Sequence, residues 1–143
     1  MTAGPGVHTQ TPFDAAAVDY DAAFEQNPVT RRIRSVVRGT LLEHFRPGSN
    51  VLELNCGTGT DAIALAEHGV RVTGIDSSAG MISCARSKIA ASGLGHLVTC
   101  RELDFHDIDS MGGMAYDGAY SNLGGLNCSS AFRQVIGKLA GLL

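Results

Sequence analysis

Val51-Leu52-Glu53-Leu54-Asn55-Cys56-Gly57-Thr58-Gly59 is the stretch that decides the fold. Its first four residues form a short apolar run, the length of a buried strand. Two glycines follow at once. Residues 60–68 then carry small side chains at helical spacing and stop at Gly69, a residue suited to a helix end. Strand, glycine turn and helix open a βαβ unit. The alternation continues downstream. Residues 70–76 read as a second strand, with Val70, Val72 and Ile75 as its apolar members. Ser78 is a good N-cap for a helix reaching Ser92, with Met81, Ile82, Ala85 and Ile89 inward and Gly93 at its end. Residues 97–103 read as a third strand. Residues 104–114 are acidic, then glycine-rich, with room for one helical turn. Residues 116–121 read as a fourth strand. From Ser129 onward the pattern is helical, with Phe132, Val135, Ile136 and Leu139 as a stripe. Such alternation specifies an α/β fold, a parallel sheet with helices on both faces.

Upstream of the strand the period is helical. Residues 1–12 are rich in Thr, Gly and Pro and are expected to fray. Residues 13–26 read as one helix, carrying Phe13, Ala16, Ala17, Tyr20 and Phe24. Asn27 then caps a helix opened by Pro28. This second helix is expected to bury Ile33, Val36, Val37, Leu41 and Phe45. Gly39 weakens it by about 1 kcal/mol relative to Ala, and Arg46-Pro47-Gly48 ends it. Arg31, Arg32, Arg34 and Arg38 read as a solvated helix face. The two helices, residues 13–46, stand ahead of a βα core, residues 50–143, and form a cap over its edge.

Composition narrows the function. The 143 residues suit one domain, and 44% hydrophobic content suffices for a core. A net charge of −3 and a pI near 5.9 argue against a nucleic-acid binder. No apolar run has the length of a membrane span, and the N-terminus lacks the features of a secretion signal. Cys56, Cys84, Cys100 and Cys128 form no CxxC pair, and the five histidines show no ligand spacing. No metal site is expected, and the cysteines fit a reduced, cytoplasmic protein.

In a doubly wound sheet, ligands bind at the carboxyl ends of the strands. Gly57-Thr58-Gly59 lies there. Its glycines let backbone N–H groups approach a ligand, and the helix start favours an anionic group. Asp76 ends the next strand, seventeen residues after Gly59. A carboxylate there can accept hydrogen bonds from both hydroxyls of a ribose. These features suit any adenosine-containing cofactor. Gly57, Gly59 and Ala62 even satisfy GxGxxA, so an NAD(P)-dependent oxidoreductase stays open. Glu53 points elsewhere. An acid at the strand end suits a cationic amine and sulfonium, and would repel a pyrophosphate.

Residues 51–59 resemble the first motif of class I S-adenosylmethionine-dependent methyltransferases, which have a Rossmann-like fold. Val72-Thr73-Gly74-Ile75-Asp76-Ser77-Ser78 through Met81 resembles their second motif. Residues 116–124 resemble the fourth strand and loop of the small-molecule subgroup. The resemblance covers residues 13–143 and implies S-adenosylmethionine as cofactor and S-adenosylhomocysteine as product. It implies that Glu53, Asn55, Cys56, Gly57, Thr58 and Gly59 line the methionine half. Asp76 would hold the ribose, with Ser77 and Met81 flanking ribose and adenine. Asp104 and Phe105 would meet the adenine. Ser121, Asn122 and Leu123 would offer carbonyls to the methionine amine, and Tyr20 would close over that end. Asn55 replaces the family's more usual Gly or Asp, and Asn tolerates unusual backbone angles.

The family's seven strands run in the order 3-2-1-4-5-7-6. Four are present here, in the implied order 3-2-1-4, so the chain reads as truncated after the fourth. An exposed fourth-strand edge follows, with an apolar patch around Val135, Leu139, Leu142 and Leu143 and a tendency to self-associate. The loop after the fourth strand lacks the Asn/Asp-Pro-Pro-aromatic pattern of nucleic-acid amino methyltransferases. The acceptor expected is a small molecule, with no nucleic acid and no membrane as partner. No residue is assigned as catalytic; His106 is a base by chemistry alone. A fragment that keeps the fold without catalysis is the third reading.

Overall fold

The computed structural model describes residues 11–143, apart from the Cys128 side chain. Four strands, β1 (Asn50–Leu54), β2 (Arg71–Asp76), β3 (Val98–Glu102) and β4 (Gly118–Ser121), form one sheet. All pairs are parallel, and the order is β3-β2-β1-β4. This is the expected order. Val51 stands opposite Val72 and Gly118, and Val72 opposite Val98. The valines stack in one layer because period-2 alternation sends them to the same face. β4 has β1 on one side and an open edge on the other among the described residues.

Two cores flank the sheet. One holds Val51, Val72, Val98 and Cys100 against helix α4 (Thr60–Ala66) and helix α5 (Ala79–Ser92). The other holds Leu52, Leu54 and Ile75 against Ile108, Met111 and helix α6 (Phe132–Ala140). α5 follows its sequence signals closely. The Ser78 side chain accepts from the Met81 N–H, Gly93 takes φ +73° at the end, and Met81, Ile82, Ala85 and Ile89 are buried. The acidic connector forms a 3-10 helix over Phe105–Met111. A second short 3-10 turn, Gly125–Cys128, was not foreseen.

The cap differs from expectation. The helix expected over residues 13–26 is two, α1 (Pro12–Ala16) and α2 (Tyr20–Gln26). Of the stretch expected to fray, residues 1–10 lie outside the described residues, and Pro12 opens α1 with Thr11 at its cap. Helix α3 (Pro28–His44) has the expected Asn27 cap, whose side chain accepts from Val29 N–H. Its buried face is narrower than expected. Leu41 is buried and Val37 and Phe45 pack beside it, but Ile33 is 46% exposed and Val36 53%. Toward its N-terminus α3 meets α2 and α4 through polar side chains, Thr30 donating to the Phe24 carbonyl and Arg34 and Arg38 reaching Asp61. Expectation also fails at the C-terminus. Val135 and Leu142 are buried, not part of an exposed patch: α6 lays Val135 into the second core, and Tyr116 N–H bonds the Leu142 carbonyl and holds the end against the sheet. Phe132, Ile136 and Leu143 are the exposed apolar residues there.

Candidate functional site

The carboxyl ends of the four strands and the cap enclose a cleft of about 280 Å³. The β1 turn forms its floor. Asn55 at φ 57°, Gly57 at φ 54° and Gly59 at φ 74° bend the chain sharply. Asn is among the few side chains that take such an angle readily. The turn closes by a Gly59 N–H to Cys56 carbonyl bond of 3.0 Å. Asp76 reaches in from β2. Its carboxylate accepts from Gly57 N–H at 2.9 Å through one oxygen and from Ser78 N–H at 2.9 Å through the other. Burial raises its pKa, against the lowering by those two N–H groups. Each oxygen keeps a lone pair for a further donor.

Glu53 lies at the opposite end, 2% exposed. Its Oε2 is buried without a hydrogen-bond partner among the described residues. Burial, and then the Asp61 carboxylate, push its pKa well above the ordinary value. The neighbouring Tyr120 phenol is pushed up as well, first by burial and then by Glu53. A buried carboxyl with an unused oxygen costs stability until a hydrogen-bond donor reaches it, and a cationic donor would in addition draw off its proton.

Asp61, on α4, joins the cap to the fourth strand. Arg38 Nε donates to its Oδ1 at 2.7 Å, and Asn122 Nδ2 donates to its Oδ2 at 2.9 Å. Arg34 stands 3.5 Å from Oδ1, with its side chain 11% exposed and its guanidinium over the Phe24 ring. Arg34 therefore departs from the solvated face expected of the four arginines. It lines the cleft and also a second cavity of about 500 Å³ between α3 and α4.

The cap is latched to the cleft by two further aspartates. Asp21 Oδ1 accepts from the Thr58 hydroxyl at 2.6 Å and the Thr60 hydroxyl at 3.1 Å, while Lys88 Nζ meets Oδ2 at 2.5 Å. Asp14 Oδ1 accepts from the Ser78 hydroxyl at 2.6 Å and Gly80 N–H at 2.8 Å. These bonds, the Ser78 hydroxyl foremost, lower the Asp14 pKa to about 2. The latches place Phe13 and Tyr20 in the wall of the cleft.

Most residues named from the sequence meet here. Glu53, Asn55, Cys56, Gly57 and Thr58 line the cleft from β1, and Asp76, Ser77 and Met81 from β2 and α5. Asp104 and Phe105 line it after β3, Asn122 and Leu123 after β4, and Tyr20 from the cap. Gly59 and Ser121 do not. Gly59 faces α5, where a Cβ would lie 3.2 Å from Ala85 Cβ. Ser121 ends β4 with its hydroxyl buried and unpartnered. Phe13, Arg34, Thr60, Asp61, Gly124 and Gly125 line the cleft without having been named. Gly124-Gly125 was a readable signal, since a Cβ on Gly125 would sit 2.6 Å from Asn55 Cβ. Asp61 and Arg34 had no local signal.

His106 also lines the cleft. Its Nδ1 lies 2.6 Å from Asp104 Oδ1 and its Nε2 2.9 Å from the Ser129 hydroxyl. The Cys128 side chain lies outside the described residues. No helix among the described residues is long and apolar enough to cross a membrane.

The chain resembles known proteins in sequence and fold. It is 37% identical over 94 residues to a demethylmenaquinone methyltransferase of Symbiobacterium thermophilum, covering 61% of this chain and 36% of that one. It is 31% identical over 103 residues to a 23S rRNA (uracil(1939)-C(5))-methyltransferase of Nitrosospira multiformis, covering 71% and 23%. The fold matches that of a SAM-dependent methyltransferase from Thiobacillus denitrificans, solved in complex with S-adenosylhomocysteine. The TM-score is 0.69 at 22% identity, over 94% of this chain and 52% of that one. The chain thus spans about a third or less of the curated relatives' length. A family model described as a methyltransferase domain matches residues 51–143, and the chain belongs to that family.

Proposed function

We propose that the cleft binds S-adenosylmethionine and that the protein transfers its methyl group to a small-molecule acceptor. The observation that carries this reading is the buried Glu53 carboxyl with an unpartnered oxygen. A cationic ligand group ionises and completes it, which a pyrophosphate cannot do. The donor set fits the rest of the cofactor. Asp76 offers lone pairs to two ribose hydroxyls. Met81 and Phe105 give apolar walls for a purine, and Asp104 an acceptor for its amine. Asn122 and Leu123 border the Glu53 end. Tyr20, held by the cap, shields that end from water.

The bound cofactor supplies a methyl group on a sulfonium, already activated for in-line displacement. The chain's task is positioning and exclusion of water. Glu53 ionises as it meets the cation, so binding releases a proton. Asp76 is fixed by Gly57 and Ser78 before a ligand arrives, which reduces the ordering cost of binding. The acidic charge of the chain and the aspartates around the cleft support a small acceptor over a polyanion. One relative is named for a quinone-type acceptor and another for ribosomal RNA, so the test carries both arms.

Calorimetric titration with S-adenosylhomocysteine and with NADH tests the cofactor. Saturable binding of S-adenosylhomocysteine alone is expected; binding of NADH alone sinks the reading. Incubation with tritiated S-adenosylmethionine and either a small-molecule extract or total RNA tests the acceptor. Label entering RNA and no small molecule would overturn the acceptor class and leave the cofactor standing.

A further inference from the structure

Cys56 follows β1, and Cys100 stands in β3 with β2 between them. The β2 residue in register with Cys100 is Gly74. The missing side chain leaves a gap that both thiols fill. A Cβ on Gly74 would stand 2.9 Å from Cys56 Sγ and 3.2 Å from Cys100 Sγ. The two sulfurs therefore touch one atom-sized position above the middle strand. Both are free thiols in the same buried core. Cys56 also lines the cofactor cleft, so the pair has one route to solvent.

We propose that Cys56 and Cys100 are an oxidisable pair, closed into a disulfide by a peroxide that enters through the cofactor cleft. Gly74 is what permits it, since any side chain there would stand between the sulfurs. A disulfide needs Cβ atoms about 3.5–4.5 Å apart. Rotation about the two Cα–Cβ bonds turns the sulfurs toward each other over Gly74, and a shift of the glycine turn that carries Cys56 brings the Cβ atoms into that range. Cys100 is the more acidic thiol. The Cys56 thiol beside it, and then Arg86, which donates to the Cys100 carbonyl at 3.2 Å, lower its pKa against burial. Its thiolate attacks one peroxide oxygen, becomes a sulfenic acid and releases hydroxide, which takes up the Cys100 proton as water. The Cys56 sulfur then attacks the sulfenic sulfur, its proton leaving with the hydroxyl as a second water. Two thiols and one hydrogen peroxide yield one disulfide and two waters.

The bond would tie the glycine turn to β3. Cys56 N–H bonds the Ile75 carbonyl, and the Cys56 carbonyl accepts from Gly59 N–H. Moving Cys56 disturbs both bonds and the floor of the cleft. The disulfide stands on the thiol geometry alone; its effect on cofactor binding rests on the proposed function.

The test begins with reduced protein, treated with one equivalent of hydrogen peroxide, alkylated and digested without reductant. The peptides holding Cys56 and Cys100 are expected to be joined, lighter by two hydrogens, and separated again by dithiothreitol. Saturating S-adenosylhomocysteine slows the joining about tenfold, and the oxidised protein binds S-adenosylhomocysteine about tenfold more weakly. Recovery of both peptides singly alkylated, or joined instead to Cys84 or Cys128, overturns the pair. A Cys100→Ala variant is expected to bind S-adenosylhomocysteine as the parent does, before and after peroxide. If peroxide still weakens its binding, the disulfide is not the cause. If the reduced parent binds no S-adenosylhomocysteine, the cofactor reading fails, and the peptide map still judges the pair.

Discussion

The sheet and the cap are held by different forces. In the sheet, Val51, Leu52 and Ile75 are fully buried, each closing on apolar neighbours from two strands and a helix. In the cap, α1 and α2 contribute no buried residue, and only Ala17 between them is covered. Apart from Leu41, Val37 and Phe45 at the foot of α3, which reach the first core, what fastens the cap is three aspartates. Asp14 joins it to α5, Asp21 to the β1 turn, and Asp61 receives α3. Apolar burial is non-directional and additive over a large surface. Carboxylate latches are few, directional and dependent on ionisation. The protein thus places a rigid floor beneath the cleft and a separable wall above it.

The largest expected effect tests the floor. Leu52→Ala leaves a cavity in the fully buried second core and should cost about 3 kcal/mol in chemical denaturation. Ile33→Ala, an apolar deletion in the exposed half of α3, should change stability by less than about 0.5 kcal/mol. Similar costs for the two would erase the distinction. Next comes Asp61, where the two regions meet. Asp61→Ala strands Arg38 and Arg34 beside α4, and about 2 kcal/mol should be lost, since Arg38 is partly solvated. A loss confined to the cap, with β1 amide exchange unchanged, would place Asp61 on the cap's side only.

Glu53 sharpens the contrast further, because it is a charge site inside the apolar floor. Its folded pKa is raised, so the folded state keeps a proton that the unfolded chain releases above the ordinary glutamate value of 4.5. Stability of the unliganded protein should therefore fall as pH rises from that value toward the folded pKa. Binding of S-adenosylhomocysteine should run the opposite way, tightening by up to about tenfold per pH unit over the same window. Glu53→Gln should flatten both slopes. Binding that is flat with pH in the parent would remove Glu53 from the amine site.

The same division decides what could be read from the sequence. α5 was legible from Ser78 to Gly93 because its cap, its inward face and its stop are local features. The sheet order was implied by motif resemblance, and β1, β2 and β3 matched their apolar runs to within a residue or two. The cap helices resisted. The periodicity of residues 13–26 is real, but Asp14 is drawn to Ser78 and Gly80, sixty-odd residues away, and the chain breaks after Ala16 to meet them. Arg34 looked like its solvated neighbours because Asp61 and Phe24, which enclose it, are distant in sequence or on another helix. Val135 and Leu142 depart from the expected patch for a similar reason, since their partners in the second core and the Tyr116 N–H are distant in sequence. Of the residues named at the strand ends, all but Gly59 and Ser121 line the cleft. Asp61 and Arg34, brought there by long-range charge pairs, carried no local signal.

The smallest expected effect belongs to Asp14, and it asks whether the wall can open without the floor. Its pKa is lowered to about 2, so the latch is complete above the ordinary aspartate value of 3.8 and is lost as pH falls through about 2. Asp14→Ala removes the acceptor for the Ser78 hydroxyl and Gly80 N–H at any pH. Midpoint denaturation should hardly move, because α1 buries no side chain. Amide exchange across residues 12–26 should accelerate several-fold, while exchange in β1 and β2 stays at the parent rate. Acidifying the parent toward pH 2 should reproduce the same local opening, provided the sheet is still folded there. If Asp14→Ala speeds exchange equally in the cap and in β1, the wall and the floor open as one cooperative unit, and the aspartate latches are part of the global fold.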